Sequence, residues 1–283
     1  MNIQYGNKSV TFNNIPYFSL EQCLCCGQAF RWKQKGNGFS GVALGRSVYA
    51  EQNGAKLTLC GVDKNAVNEF IRYFDLDRDY GAIQASFAKD PFLSEGISYA
   101  SGLRVMRQPL FETLISFIIS ANNNVGRITR IIETICHKYG KPIGENFDFP
   151  TPEELAALKP EDLKACGAGY RADFIIGTAK MVCDGFNLES VAKMPYEQAR
   201  AALTALPGVG LKVADCVALY GMGFMEAFPA DVWMRRVICG VYGYTGKNDK
   251  DLRQFVDATF GSNAGIAQQY LFHYARHHKE TVC

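Results

Sequence analysis

Lys212 and Asp231 each fall where the sequence expects a helix to begin. Lys212 follows the turn Leu206-Pro207-Gly208-Val209-Gly210, whose glycines supply backbone conformations that other side chains forbid. In the first turn of the next helix, the helix dipole and partial burial favour a nucleophilic amine. Asp231 follows Pro229-Ala230 in an N-cap position, where amide hydrogen bonds favour a carboxylate. An amine beside an ionised acid suits substitution at an electron-poor carbon, passing through a cation. Taken singly, Lys212 also reads as a solvated helix residue and Asp231 as an ordinary cap. Their ordered combination is what favours chemistry.

The elements around the pair support that reading. Met194 to Leu206 has the pattern of an amphipathic helix, and a second helix is expected from Leu211, which makes a helix-hairpin-helix over about 194–222. Gly208, Val209 and Gly210 would leave backbone N–H groups pointing outward, and with the helix dipole these hold a phosphate without a charged side chain. Such a device does not read base sequence. Cys216 lies one turn beyond Lys212 on the same face.

This arrangement resembles the helix-hairpin-helix glycosylase superfamily, and within it the 8-oxoguanine DNA glycosylases of eukaryotic type, which also occur in some bacteria. The resemblance runs from about Tyr17 to Arg276. It implies that Lys212 attacks C1′ of an extruded nucleotide and forms a Schiff base, while Asp231 stabilises the developing positive charge. In Cys26-Gly27-Gln28-Ala29-Phe30-Arg31-Trp32, it implies that the Gly27 carbonyl accepts the N7 hydrogen that distinguishes 8-oxoguanine from guanine. Cys216 and Phe272 would sandwich the base, Gln268 would read its Watson–Crick edge, and Tyr220 would shape the pocket. Asn122 and Arg127, from Ser120-Ala121-Asn122-Asn123-Asn124-Val125-Gly126-Arg127, would meet the orphaned cytosine. Tyr170 would wedge into the duplex and Arg171 would contact the same cytosine. Carbonyls of Thr204, Leu206 and Val209 would offer a place for a monovalent cation, although catalysis needs no metal and no cofactor.

Without the resemblance these segments keep plainer readings. The asparagine run is also a helix-capping turn, Tyr170-Arg171 an ordinary helix start, and Phe272 with Gln268 a core phenylalanine edged by a glutamine. Three positions depart from the family. Tyr220 stands where its members often have methionine, which alters pocket size. Trp233 stands where many members have a histidine that helps hold a phosphate, and Ala275 replaces the aspartate that orients it, so Arg235 or the Trp233 ring is the candidate substitute. The expectation is a bifunctional 8-oxoguanine glycosylase and AP lyase acting on double-stranded DNA that carries oxidised guanine. The alternatives are a glycosylase for another damaged purine, alkylated or formamidopyrimidine, and a non-catalytic DNA-binding module.

Composition permits this. The chain has 283 residues, 48% hydrophobic and 12% aromatic, enough for a large core. A net charge of +2 gives no strongly basic footprint, so charge alone does not suggest DNA. No apolar run has membrane-spanning length and no signal peptide opens the chain, so a cytoplasmic protein, bacterial and nucleoid-associated through its substrate, is expected, with a monomer as the default. The ten cysteines lack a secreted disulfide pattern. Near the C-terminus only Cys239 and Cys283 occur, too few for the four-cysteine iron–sulfur cluster of some superfamily members, and Cys23-Leu24-Cys25-Cys26 lacks a second ligand pair for zinc.

An α+β chain is expected: an N-terminal twisted antiparallel β-sheet subdomain over 1–90, then a mostly helical helix-hairpin-helix glycosylase body over 91–283. Strands are predicted at Ser9 to Phe12, Phe30 to Lys33, Phe39 to Ala43, Ser47 to Ala50 and Lys56 to Cys60, with helices at Leu20 to Leu24 and Asn65 to Phe74. Later helices are predicted at Leu110 to Ala121, Arg127 to Tyr139, Pro152 to Leu158, Glu161 to Ala165, Tyr170 to Asp184 and Ala267 to His278.

Overall fold

The computed structural model describes residues 1–278; Cys283 lies outside them. Strands β1 (Asn2–Gly6), β2 (Ser9–Asn13), β3 (Trp32–Lys35), β4 (Gly38–Ala43), β5 (Arg46–Asn53) and β6 (Lys56–Cys60) form one antiparallel sheet of order β1-β2-β6-β5-β4-β3. Period-two alternation makes it one-sided. Val10 pairs with Leu59, and Leu59 with Ala50, while Phe12 pairs with Leu57, and all five are buried. Helices Leu20–Cys25 and Val67–Tyr73 cover that face with Leu20, Leu24, Phe70 and Tyr73.

The sheet differs from expectation at two strands. β1 was not anticipated, because its residues are mostly exposed and polar, as suits an edge strand held by its neighbour's ladder. β3 begins at Trp32 because Phe30 leaves the sheet to pack edge-on against Phe117, with ring centroids 5.6 Å apart. The buried side chains accordingly form two clusters that interlock: Cys26 and Phe30 belong to the helical core, whereas Met106 belongs to the sheet core.

Two buried polar side chains hold the interlocked segments. Arg104 donates to the carbonyls of Pro16, Tyr17, Asp75 and Arg78 and lies 4.4 Å from the Tyr80 ring centroid. The Gln28 amide donates to the carbonyls of Cys23 and Arg104 and accepts from the Met106 N–H. Because these groups are buried, their full hydrogen bonding is what makes burial affordable. It also fixes the backbone beside Gly27.

In the body, helix Leu110–Ser120 is apolar on nearly every side, and Leu114, Ile115, Phe117, Ile118 and Ile119 are buried. Helices Arg171–Cys183 and Leu211–Val217 pack on it. The helix-hairpin-helix consists of Tyr196–Leu203, the glycine turn and Leu211–Val217, which runs on into a single wide turn at Ala218–Met222 with π-type bonding. Helices Val232–Tyr242, Asp249–Phe260 and Ala264–His277 complete this side. Sequence patterning had not marked Tyr80–Ser86, Pro91–Tyr99 or Asp249–Phe260. Among the described residues, no helix is long and apolar enough to cross a membrane.

Candidate active site

The hairpin forms as its glycines require. Gly208 has φ +75°, and a Cβ there would lie 2.8 Å from Phe174, so both the left-handed backbone and the close approach demand glycine. Gly210 caps the following helix in extended backbone with open space beside it. Val209 is buried, its N–H donating to the Leu206 carbonyl, one of the three oxygens suggested for a cation. The Pro207 carbonyl accepts from Thr178 Oγ1 at 3.0 Å.

A buried network clamps the two hairpin helices. Asp215 accepts from Tyr196 Oη at 2.6 Å and from Arg200 Nε at 2.7 Å, and Arg200 also pairs with Asp249 at 2.7 Å. This holds helix Leu211–Val217, which carries Lys212, against its partner helix.

Lys212 is half-buried, and its Nζ donates to Ser120 Oγ at 3.2 Å, 5.3 Å from the Phe117 ring centroid. Asp231 caps helix Val232–Tyr242, its Oδ1 accepting from the Met234 N–H at 2.9 Å. Both open into one cavity of about 300 Å³, which Gly27, Cys216, Tyr220, Gln268 and Phe272 also line. The structure thus brings together both candidate catalytic residues and all five candidate pocket residues.

Within the cavity, burial pushes the Cys216 thiol up to about 11, against the lowering influence of the neighbouring Lys212, so the residue is a neutral thiol. Tyr220 lies parallel to Phe117 at 5.2 Å and donates to the Gln269 amide oxygen; burial raises its phenol well above the ordinary range. Gln268 Nε2 donates to the Pro229 carbonyl at 3.3 Å, which fixes the direction of its amide. Gly27 has φ +92°, and a Cβ there would stand 3.4 Å from Val125 and 3.9 Å from Phe272.

The asparagine run divides its work. Asn124 caps helix Val125–Tyr139 by accepting from the Arg127 N–H, and Asn123 donates to the Ile119 carbonyl, so the capping reading holds for these two. Asn122 is exposed with φ +49°, and the Arg127 side chain is exposed as well. Tyr170 is 54% exposed and lies edge-on to the partly exposed Phe174. Arg171 stands differently. It is buried, donating to the carbonyls of Ala121, Asn122 and Ala168, so in this conformation it braces the loop and does not present itself to solvent.

Sequence reasoning missed Phe117, Ser120 and Arg276 as cavity residues. Phe117 and Ser120 had one available signal: a helix apolar on all sides must be central, so its C-terminal end adjoins whatever the core encloses. Trp233 lines the cavity, Arg236 lies 5.4 Å over its ring, Arg235 is exposed, and Ala275 is buried. Among the described residues, no three of His, Cys, Asp and Glu gather as metal ligands.

A lysine at a hairpin-helix start and a carboxylate at a helix cap, sharing one cavity, are the arrangement of a helix-hairpin-helix glycosylase. Residues 115–258 match the HhH-GPD superfamily of base excision DNA repair proteins, and the chain belongs to it. More particularly, residues 10–114 match the 8-oxoguanine DNA glycosylase N-terminal domain, which places the chain in the 8-oxoguanine glycosylase family. It is 35% identical over 240 residues to a probable N-glycosylase/DNA lyase of Methanothermobacter thermautotrophicus, covering 76% of this chain and 77% of the relative. It is 31% identical over 271 residues to an Arabidopsis thaliana N-glycosylase/DNA lyase, covering 87% and 74%. The Clostridium acetobutylicum 8-oxoguanine glycosylase/lyase, solved with double-stranded DNA containing cytosine opposite 8-oxoguanine, superposes with a TM-score of 0.94 at 34% identity, covering 99% of both chains. The protein is an enzyme of DNA repair.

Proposed function

We propose that the chain excises 8-oxoguanine paired with cytosine and then cuts the strand by β-elimination. The observation that carries this is the convergence of Lys212 and Asp231, from two helix starts, on a cavity walled by Cys216 and Phe272. The glycosidic bond of a stacked nucleotide is shielded, so the nucleotide must be extruded into that cavity. The Lys212 nitrogen, held by Ser120, would form a bond to C1′ through its lone pair as the bond to the base breaks and the base leaves with the glycosidic electron pair. Asp231 stabilises the positive charge that develops on the sugar. Loss of the amine proton and sugar ring opening give a Schiff base, and removal of a C2′ proton expels the 3′ phosphate. Gly27 would accept the N7 hydrogen, Gln268 would read the Watson–Crick edge and Tyr220 would set pocket depth. Tyr170 would fill the gap left in the duplex. Asn122 and Arg127 would approach the orphaned cytosine, as would Arg171 once released from its carbonyls. The hairpin amides around Gly208 and Gly210 would hold a phosphate. Nine free cysteines among the described residues suit a reducing cytoplasm as the working compartment.

Borohydride trapping on a duplex with 8-oxoguanine opposite cytosine tests the reading. The wild type is expected to form a covalent adduct, and Lys212→Gln to form none while still binding the lesion duplex. Normal turnover by Lys212→Gln would overturn the mechanism, and an adduct with abasic DNA alone would overturn the base assignment.

A further inference from the structure

Arg276 follows Phe272 by one helical turn on the C-terminal helix and lines the same cavity. Its Nη1 is fully enclosed yet has no hydrogen-bond partner. The same atom lies 3.4 Å from where a Cβ on Gly27 would stand, so it sits against the backbone that faces the base. A buried guanidinium N–H without an acceptor is costly, because the group has lost water and gained nothing. Such a group is retained where a ligand supplies the missing acceptor.

We propose that Arg276 is a specificity-determining residue, its Nη1 donating to a carbonyl oxygen on the edge of the extruded base that faces Gly27. The inference rests on the 8-oxoguanine reading given above. On an oxidised guanine, two carbonyl oxygens, at C6 and C8, flank N7, and Gly27 accepts from the hydrogen on N7 itself. A cation that donates to either oxygen also stabilises the negative charge the base carries away when its bond to C1′ breaks, so the same contact serves recognition and departure. A charge-assisted donor also selects against bases that offer no oxygen there.

The test is single-turnover excision by the full-length wild type, Arg276→Met and Arg276→Lys, on duplexes with 8-oxoguanine and with 8-oxoadenine, each normalised to the same protein's cleavage of a preformed abasic site. The abasic substrate has no base, so that ratio removes any general loss of folded protein. Arg276→Met is expected to lower the ratio for 8-oxoguanine at least tenfold, with Arg276→Lys recovering part of it. If Arg276 reads the oxygen at C6, Arg276→Met narrows the preference for 8-oxoguanine over 8-oxoadenine; if it reads the oxygen at C8, excision of both falls together. An unchanged ratio in Arg276→Met would overturn the inference while leaving the substrate reading intact. Failure of the wild type to excise 8-oxoguanine would overturn the substrate reading and this inference with it.

Discussion

Asp231 caps a helix, and the proposed mechanism gives it a second task, which one substitution separates from the first. Asparagine caps a helix about as well as aspartate, so Asp231→Asn keeps the Met234 N–H bond and is expected to change stability by less than about 0.5 kcal/mol. It removes the carboxylate that the mechanism proposes to set against the sugar cation, and base release is expected to slow on the order of 100-fold. Thermal melting beside single-turnover base release checks both, and unimpaired release would show that the residue serves only as a cap. Lys212 and Asp231 were legible in the sequence because each is tied to a local signal, a glycine hairpin or an N-cap. Ser120 was not, because it meets Lys212 across 92 positions of chain and a serine at the end of an apolar run carries no mark of its partner.

The elements are held by buried polar groups that patterning does not reveal. Asp215 lies on the face of helix Leu211–Val217 turned towards Arg200 and Tyr196, and nothing local foretells that it pairs with both. Removing it leaves Arg200 buried with only Asp249, so Asp215→Ala is expected to cost about 3 kcal/mol by denaturant unfolding. It should also loosen the hairpin that carries Lys212, so binding of abasic DNA should weaken in parallel; unchanged stability would show that the clamp is dispensable. The C-terminal helix makes a second prediction. Burial first, and then the neighbouring His277 and Arg276, lower the His273 pKa from 6.5 to about 4, and Gln22 supplies its hydrogen-bond partner. Between those values the unfolded chain takes up a proton that the folded chain refuses, so stability falls as pH drops through the window, by at most about 3 kcal/mol. Melting of wild type and His273→Gln between pH 7 and pH 4.5 should show a smaller acid loss in the variant; equal losses would place the effect on carboxylates. The elements themselves were mostly legible, since apolar periodicity marks Val125–Tyr139 and Leu110–Ser120 plainly. Asp249–Phe260 escaped because charged residues fill its first turn and interrupt the apolar stripe of Leu252, Phe255, Val256 and Phe260.

For the whole molecule, interlocking cores and modest charge together determine how DNA is held. Cys26 and Phe30 reach from the sheet side into the helical core, so Gly27 and Lys212, distant in sequence, are kept in the lining of one cavity by packing. The sequence conveyed the two regions but not this crossing, because burial alone does not say which core a residue joins. A net charge of +2 does not by itself mark a broad cationic surface for holding a duplex. The exposed cations near the cleft are few: Arg127 beside the asparagine loop, and Arg235 and Arg236 on the helix that Asp231 caps, with half-buried Lys212 between them. Each phosphate neutralised by a cation contributes about −0.9 to the slope of log K against log salt, whereas amides of the hairpin contribute binding with little of that dependence. Binding of Lys212→Gln to a lesion duplex, measured by fluorescence anisotropy from about 50 to 200 mM salt, is therefore expected to show a slope near about −3, shallower than the steep dependence of strongly basic DNA-binding proteins. A slope beyond about −6 would mean that cationic side chains elsewhere on the surface carry the duplex, and that the hairpin amides are secondary to them.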